Sequence, residues 1–349
     1  MNDEQIMRLA ITEAEKGRYH TYRNPLVGAV IVNDNQIIAT GYHRRYGDKH
    51  AERMAIDNCK TPEKLKNSTL YVTLEPCAHF GKQPPCVNAV IESGIQKVVV
   101  GQFDPNPLVH GKGIQILKDH GIEVVGPVLE SASRALNEHY NFFYQHHRPF
   151  VTLKQAISMN GQITAAPDQR TAVTANEVNQ LVHHERMDYQ AILVGAQTVM
   201  VDDPLLLPSG EVDFPPTRII LDRGGRLKNY LENQIFKTAG PVVIFSDQLA
   251  DVTLPEHVQV VKPADFEIKT ITKTIGELGI QSIYVEGGQH VNSQFLNAGE
   301  YDEMITYVAP KLFPKAGLPM VHLDHSVALR FKSVEQVGPD LRIVSEQVK

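Results

Sequence analysis

The sequence predicts an α/β protein built from two domains in tandem. Three observations lead there. Short apolar runs rich in Val and Ile alternate with stretches in helical spacing along most of the chain. That alternation stops once, in the basic and polar "QHHRP" of Gln145 to Pro149, and then begins again. And 349 residues exceed what one ordinary core serves. The expected division is residues 1–145 and 146–349.

From the N-terminus, Ile6, Leu9 and Ala10 share one face of a helix from about Asp3 to Lys16, with Gly17 as its stop. "VGAVIV" and "QIIATG", parted by Asn33-Asp34-Asn35, read as a β-hairpin. His50 to Cys59 is helical in pattern, "TLYVTL" (Thr69 to Leu74) a buried strand, Val87 to Ser93 a helix and "KVVVG" a strand. Ile114 to His120 and "IEVVG" give one more helix and strand, and a helix from Leu129 to Tyr144 leads to the boundary. Beyond it, "FVTLKQAI", "AILVG", "TRIILD", "PVVIF", "QSIYVEGG", "EMITYVAPKL" and "DLRIVSE" read as strands. Helices are expected from Asn176 to Met187 and from the Gly pair of "VEGG" to about Asn297. No short-period repeat or low-complexity tract interrupts either half.

Composition narrows the class. Hydrophobic residues are 42% and charged residues 21%, the balance of a soluble globular protein. The polar opening "MNDEQIMRLAITEAEKG" is not a signal peptide, and no apolar run is long enough to cross a membrane. A net charge of −6 argues against a general nucleic-acid binder, while leaving room for a local basic grip on a phosphate. Three cysteines, Cys59, Cys77 and Cys86, make no disulfide framework and point to a reducing, cytoplasmic setting.

Those thiols lead to the first chemical pattern. "GDKHAERMAIDNCK" places His50 and Glu52 two apart at the start of a helix, and "EPCAHFGKQPPC" places Cys77 and Cys86 after a strand end. One imidazole and two thiolates give zinc three ligands and keep a fourth position for water, the arrangement of a catalytic site. A carboxylate two residues from the ligand His can carry protons between that water and a leaving amine. H-x-E followed by P-C-x-x-C marks zinc nucleobase deaminases. The spacing here departs from it, with eight residues (78 to 85) between the cysteines. The plainer reading makes His50 a helix cap, Glu52 a solvated charge and the cysteines small core residues. Cys59 stands apart and reads as a buried helix residue.

The second half is less explicit. "YVEGG" sets Glu286, Gly287 and Gly288 at a strand end before a helix, where backbone N–H groups can meet a phosphate. A tight strand-to-helix turn accounts for the glycines equally well. "GAQTVMVDDPLL" adds Thr198 and the pair Asp202-Asp203, suited to a hydroxyl or ribose partner, or to a helix cap, more than to a metal.

Taken together, "NPLVGAVIV", "HAE", "TLEPCAHFGKQPPC" and "DPNPLVHGKG" resemble the deaminase half of the bifunctional riboflavin-biosynthesis deaminase–reductases. "KQAISMNG", "GAQTVMVDDP", "RIILD" and "VEGG" resemble their reductase half. The resemblance implies an N-terminal cytidine-deaminase-like three-layer domain and a C-terminal dihydrofolate-reductase-like domain. It implies zinc on His50, Cys77 and Cys86, with Glu52 as the proton carrier. Asn24, His43, His79, Lys82, Asp104 and Asn106 then bind the deaminase substrate, a small phosphorylated pyrimidine. Asn24 offers donor and acceptor to a ring edge, and His79 and Lys82 suit a ribose phosphate. On the reductase side it implies NADPH, with Lys154, Arg170, Arg186, Leu206 and Glu286 at the substrate. Ile157, Ala172, Thr198, Asp202, Arg223, Gly287 and Gly288 fall at the nucleotide, Asp202 near a ribose.

This half departs from the family's pattern in places. The usual "SLDG" is "SMNG" with Asn160, Ala172 stands where the family has Trp, and Leu207 and Ser209 replace a Thr and a phosphate-binding Arg. Arg170 is the cation placed to restore that charge. The resemblance also implies a homodimer or homotetramer assembled through the reductase half. Two other readings share part of the pattern. One keeps the deaminase and makes the C-terminal half a silent binding or oligomerisation module. The other is a tRNA or free-nucleoside deaminase with an appended domain, which the acidic balance opposes for tRNA.

Overall fold

The structure, a computed structural model, describes residues 1–79, 83–166, 171–210, 212–249 and 251–348. The chain divides into two compact units, Met1–His147 and Arg148–Lys349.

The first unit runs α1 (Asp3–Glu15), β1 (Gly28–Asn33), β2 (Gln36–Tyr42), α2 (Ala51–Asp57), β3 (Thr69–Val72), α3 (Cys86–Ser93), β4 (Lys97–Val100), α4 (Lys112–Asp119), β5 (Glu123–Val125), α5 (Glu130–Ala135) and α6 (Glu138–His146). Its sheet has the order β2-β1-β3-β4-β5. The β1–β2 hairpin turns through Asp34 and Asn35, both at positive φ, the conformation a two-residue turn needs to match strand twist. Strands β3, β4 and β5 are parallel to one another.

Alternation along the strands splits the core into two faces. Ala29, Ile31, Leu70, Val72, Val98 and Val100 pack with Ala51 and Ala55 of α2, Val87 and Val90 of α3, and Leu117 of α4. Val30, Val32, Tyr71 and Val99 pack on the other side with Ile6, Met7 and Ala10 of α1. Helices on both faces of one sheet make the three layers. Helix α1 starts with a capping box of Asn2 and Gln5 and ends before Gly17. Gly17 has no left-handed φ. It is required because a Cβ there would lie 2.3 Å from the His43 carbonyl oxygen.

The helix expected over Leu129–Tyr144 is two helices, broken at Asn137. The reason is a tertiary bond: the Asn137 amide accepts from Leu26 N–H at 2.7 Å and donates to its carbonyl at 2.9 Å. Helix continuity is given up there for a clamp on the loop that carries Asn24.

The second unit runs β6 (Phe150–Ser158), α7 (Asn176–Glu185), β7 (Ala191–Gly195), α8 (Ala196–Asp202), β8 (Thr217–Leu221), α9 (Gln234–Lys237), β9 (Val242–Phe245), β10 (Val258–Val261), α10 (Ile268–Glu277), β11 (Ser282–Val285), α11 (Gln289–Ala298), β12 (Glu303–Ala309), β13 (Leu329–Val337) and β14 (Asp340–Gln347). The sheet order is β10-β9-β8-β7-β11-β6-β12-β14-β13, parallel from β10 to β12, with β14 and β13 antiparallel at one edge. One face buries Leu153, Leu193, Ile283 and Val285 under α10 and α11. The other buries Ile192, Val194, Ile220 and Tyr284 under α7 and α8.

Under α7 lies a buried polar knot. Tyr284 and Tyr307 donate their hydroxyls to Glu185 Oε2 at 2.6 and 2.7 Å, and Arg342 Nε donates to Glu185 Oε1 at 2.8 Å. The knot fixes the end of α7, and the next residue is Arg186. Among the described residues no helix is long and apolar enough to cross a membrane.

Candidate active sites

In the first unit, His50 occupies the N-cap position of α2 but makes no side-chain cap hydrogen bond. Its imidazole turns instead to the cysteines, with Nδ1 at 3.2 Å from Cys86 Sγ and 3.5 Å from Cys77 Sγ. Cys77 follows the end of β3 and Cys86 opens α3, whose backbone N–H donates to Cys77 Sγ at 3.4 Å. The three donor atoms lie within 4.8 Å of one another, the sole such cluster of His, Cys, Asp and Glu among the described residues.

This donor set fits zinc. Tetrahedral bonds of about 2.3 Å to sulfur and about 2.05 Å to nitrogen put N and S roughly 3.5 Å apart, close to what the side chains already show. Their charge states lean the same way. The hydrogen bond from Cys86 lowers the Cys77 thiol, against the opposing effect of burial. The same bond, with burial, pushes Cys86 up, and the Cys77 contact raises His50. A thiolate is thus favoured at one ligand before any cation arrives.

Glu52 lies in the first turn of α2 and is 3% exposed. Burial, then the negative Cys77, pushes its carboxyl up to about 7. A carboxyl that takes and gives a proton near neutrality is what amine departure asks for.

Around this centre, Asn24 Nδ2 lies 3.0 Å from His43 Nε2, and His43 Nδ1 lies 3.1 Å from the Lys49 carbonyl oxygen. A carbonyl only accepts, so Nδ1 carries the ring proton and Nε2 accepts from Asn24 Nδ2. Both nitrogens of His43 are thereby engaged within the protein. Asp104 accepts from Asn106 N–H at 2.9 Å and Asn106 accepts from Leu108 N–H at 3.0 Å, two successive Asx turns. Tyr140 donates to Asp104 at 3.0 Å. Burial raises the Asp104 carboxyl to about 6, and exposed His79 is near enough to act on it electrostatically. Lys82 lies outside the described residues. Cys59 is buried away from the cluster, its thiol 3.4 Å from the Thr61 carbonyl oxygen.

In the second unit a cleft of about 1790 Å³ opens at the carboxyl ends of β7, β8 and β11 and alongside residues 154–156 of β6, in the region where ligands of parallel sheets bind. Lys154, Ala172, Arg186, Thr198, Asp202, Leu206, Arg223, Glu286, Gly287 and Gly288, singled out in the sequence, all line it. Ile157 is the exception. It stands further along β6, paired with Val308, where the strand has passed the cleft. Arg170 lies outside the described residues.

Arg186 donates to both Glu286 oxygens, at 2.6 and 3.0 Å, and to the Leu207 carbonyl at 2.8 Å. Lys154 Nζ is 3.9 Å from Glu286. Burial would raise the Glu286 carboxyl, but Arg186 and then Lys154 outweigh it and keep it lowered. Burial lowers Lys154. Gly287 is needed for packing, since a Cβ would lie 2.6 Å from Val291 as α11 begins. Asp202 ends α8, and Asp203 accepts from Gln234 N–H at 2.7 Å, so the second member of the pair caps a helix.

Two of the departures from the family pattern, Asn160 and Ala172, have partners of their own. Asn160 accepts from Phe313 N–H at 3.0 Å and donates to its carbonyl at 2.9 Å, a reciprocal pair that needs an amide. Lys311 holds the Ala172 and Val173 carbonyls at 3.2 and 2.7 Å where the family places a Trp. Neither Lys311 nor Tyr140 nor Glu185 carries a local signal in the sequence, because each acts on a residue more than 35 positions away.

The fold and the two sites together define a zinc-type deaminase domain joined to a reductase domain. Residues 1–102 match the cytidine and deoxycytidylate deaminase zinc-binding region, and residues 149–343 match the RibD C-terminal domain. The riboflavin biosynthesis protein RibD of Aquifex aeolicus is 38% identical over 98% of this chain and 97% of its own, and that of Escherichia coli 33% identical over 98% of both. The solved RibD of Acinetobacter baumannii superposes with a TM-score of 0.91 at 35% identity, covering 99% of each chain. The diaminohydroxyphosphoribosylaminopyrimidine deaminase/5-amino-6-(5-phosphoribosylamino)uracil reductase of Thermotoga maritima gives 0.88 at 36%, again over 99% of each. The chain belongs to the RibD family, the bifunctional deaminase–reductases of riboflavin biosynthesis.

Proposed function

We propose that residues 1–145 deaminate 2,5-diamino-6-(5-phosphoribosylamino)pyrimidin-4-one and that residues 146–349 reduce the ribose of the product to a ribityl chain with NADPH. The observation that carries this reading is the convergence of His50, Cys77 and Cys86 beside buried Glu52. His50, Cys77 and Cys86 hold the zinc. A zinc ion held there would supply a water with a pKa of about 7 as nucleophile for the ring carbon. Glu52 takes the proton and passes it to the exocyclic nitrogen, which leaves as ammonia. Asn24, oriented by His43, reads the pyrimidine edge, Asp104 and Asn106 line the substrate, and His79 and Lys82 meet its phosphate.

In the reductase domain Thr198, Asp202, Arg223, Gly287 and Gly288 hold the nucleotide, with Ala172 at its edge. The glycines open a helix N-terminus to phosphate. Lys154, Glu286, Arg186 and Leu206 face the substrate, Lys154 and Glu286 at the sugar, and Arg170 is assigned to it by the resemblance alone. The protein's task here is to aim the nicotinamide at the sugar carbon. Free thiols suit a cytoplasmic enzyme.

We infer a homodimer or homotetramer, supported by β13, an edge strand that exposes Phe331 (66%) and Val334 (55%). Light scattering on the purified chain checks it. Mass-spectrometric product analysis tests the chemistry. Without NADPH the substrate exchanges an amine for oxygen, and with NADPH the product also gains two hydrogens. Recovery of unchanged substrate in both arms overturns the reading.

A further inference from the structure

We propose that Glu75 is a positioning residue of the deaminase site, locking the substrate-facing loop 104–111 to the strand end that carries Cys77. The inference rests on the reading above that Asp104 and Asn106 line the substrate.

Glu75 is two residues before the zinc ligand Cys77 and is 3% exposed. A buried carboxylate is costly unless it is hydrogen-bonded. Its partners are two backbone N–H groups at opposite ends of one loop: Oε2 accepts from Asp104 N–H at 3.3 Å and from Gly111 N–H at 3.1 Å. Between those ends lie Asn106 and His110, whose Nδ1 is 2.8 Å from the Asp104 carbonyl oxygen. One carboxylate oxygen, Oε2, therefore closes the loop as a clasp.

The strand side of the clasp is fixed as well. Glu75 N–H donates to the Gln102 carbonyl at 3.0 Å, tying it to the end of β4. The next residue, Pro76, presses its carbonyl against the first turn of α4, where a Cβ on Gly113 would lie only 2.0 Å away. The second carboxylate oxygen lies on the same side, 3.5 Å from that Cβ position. Glu75 and Pro76 thus hold both the loop and the helix after it, and Cys77 follows directly. A shift of the loop relative to the metal ligands requires breaking these contacts.

No bond of this set involves the His50–Cys77–Cys86 donor atoms, so the clasp predicts a split between binding and chemistry. Glu75→Ala leaves both N–H groups without their acceptor. It is expected to raise KM for the diaminopyrimidine on the order of 10-fold or more. The kcat should stay within a few-fold, with one zinc per chain retained. Glu75→Gln keeps an acceptor oxygen without the charge and should recover most of the KM. Reduction of the deaminated intermediate with NADPH should be unchanged in both.

Asn106→Ala, measured alongside, tests the underlying reading: an unchanged KM there means the loop does not bind substrate. With Asn106→Ala impaired, a wild-type KM in Glu75→Ala overturns the clasp, as does loss of zinc in Glu75→Gln. Should Glu75→Ala not fold, Glu75→Gln decides alone. A modest rise in KM at constant kcat supports the clasp, and either a wild-type KM or a fall in kcat at constant KM contradicts it.

Discussion

Glu52 shows how much of this chemistry is decided by one side chain's surroundings. On an exposed helix it would be an ordinary anion. Buried beside a thiolate, it holds its proton up to about 7. Glu52→Gln keeps the shape and cannot exchange the proton, so zinc should stay bound while deamination falls by about 10²- to 10⁴-fold. An ammonia-release assay paired with metal analysis checks both halves of that statement. Asp104 gives a second residue-scale prediction. Burial holds its carboxyl at about 6, above the ordinary 3.8. Between those values the folded chain binds a proton that the unfolded chain does not, so this group's contribution to stability falls as pH rises from about 4 to about 6 and is level above. Asp104→Asn has no such proton. The difference in urea midpoint between the two proteins should move in the variant's favour from about pH 4.5 to about pH 7, and a constant difference contradicts the assignment.

At the scale of elements, the loops depend on long-range amide clamps. Asn137 satisfies both backbone groups of Leu26, which is itself buried, and Leu26 lies two residues after Asn24. Asn137→Ala leaves both groups unpaired and should cost about 2–4 kcal/mol, read as a lower melting temperature. It should also weaken substrate binding at the deaminase site. The same clamp marks where sequence pattern stops being informative. "TLYVTL", "AILVG" and "SIYV" are legible because a strand buried on both faces is apolar throughout. The helix over Leu129–Tyr144 is legible as helix but not as two, since the break is imposed by Leu26, more than a hundred residues away. Strand β13 is nearly all exposed and has no buried face to announce it, while α10, "IKTITKTIGE", is full of β-branched residues that mask an amphipathic helix. That His50, Cys77 and Cys86 form one cluster is readable from residue type and order. That His43 is engaged on both nitrogens, or that Glu75 closes a loop, follows only from contacts the fold creates.

For the whole molecule, two chemistries are carried by two compact units, and they depend on different groups. Removing metal with a strong chelator should abolish deamination and leave reduction of the deaminated intermediate, because the reductase cleft has no His, Cys or carboxylate cluster of ligand geometry among the described residues. Restoring zinc should restore the first activity alone. The most direct test of the account is X-ray absorption at the zinc edge of protein purified without chelator. The structure predicts one zinc per chain with two sulfur neighbours at about 2.3 Å and lighter nitrogen or oxygen neighbours completing four. A shell of four sulfurs, a shell of oxygens alone, or no bound zinc would contradict it.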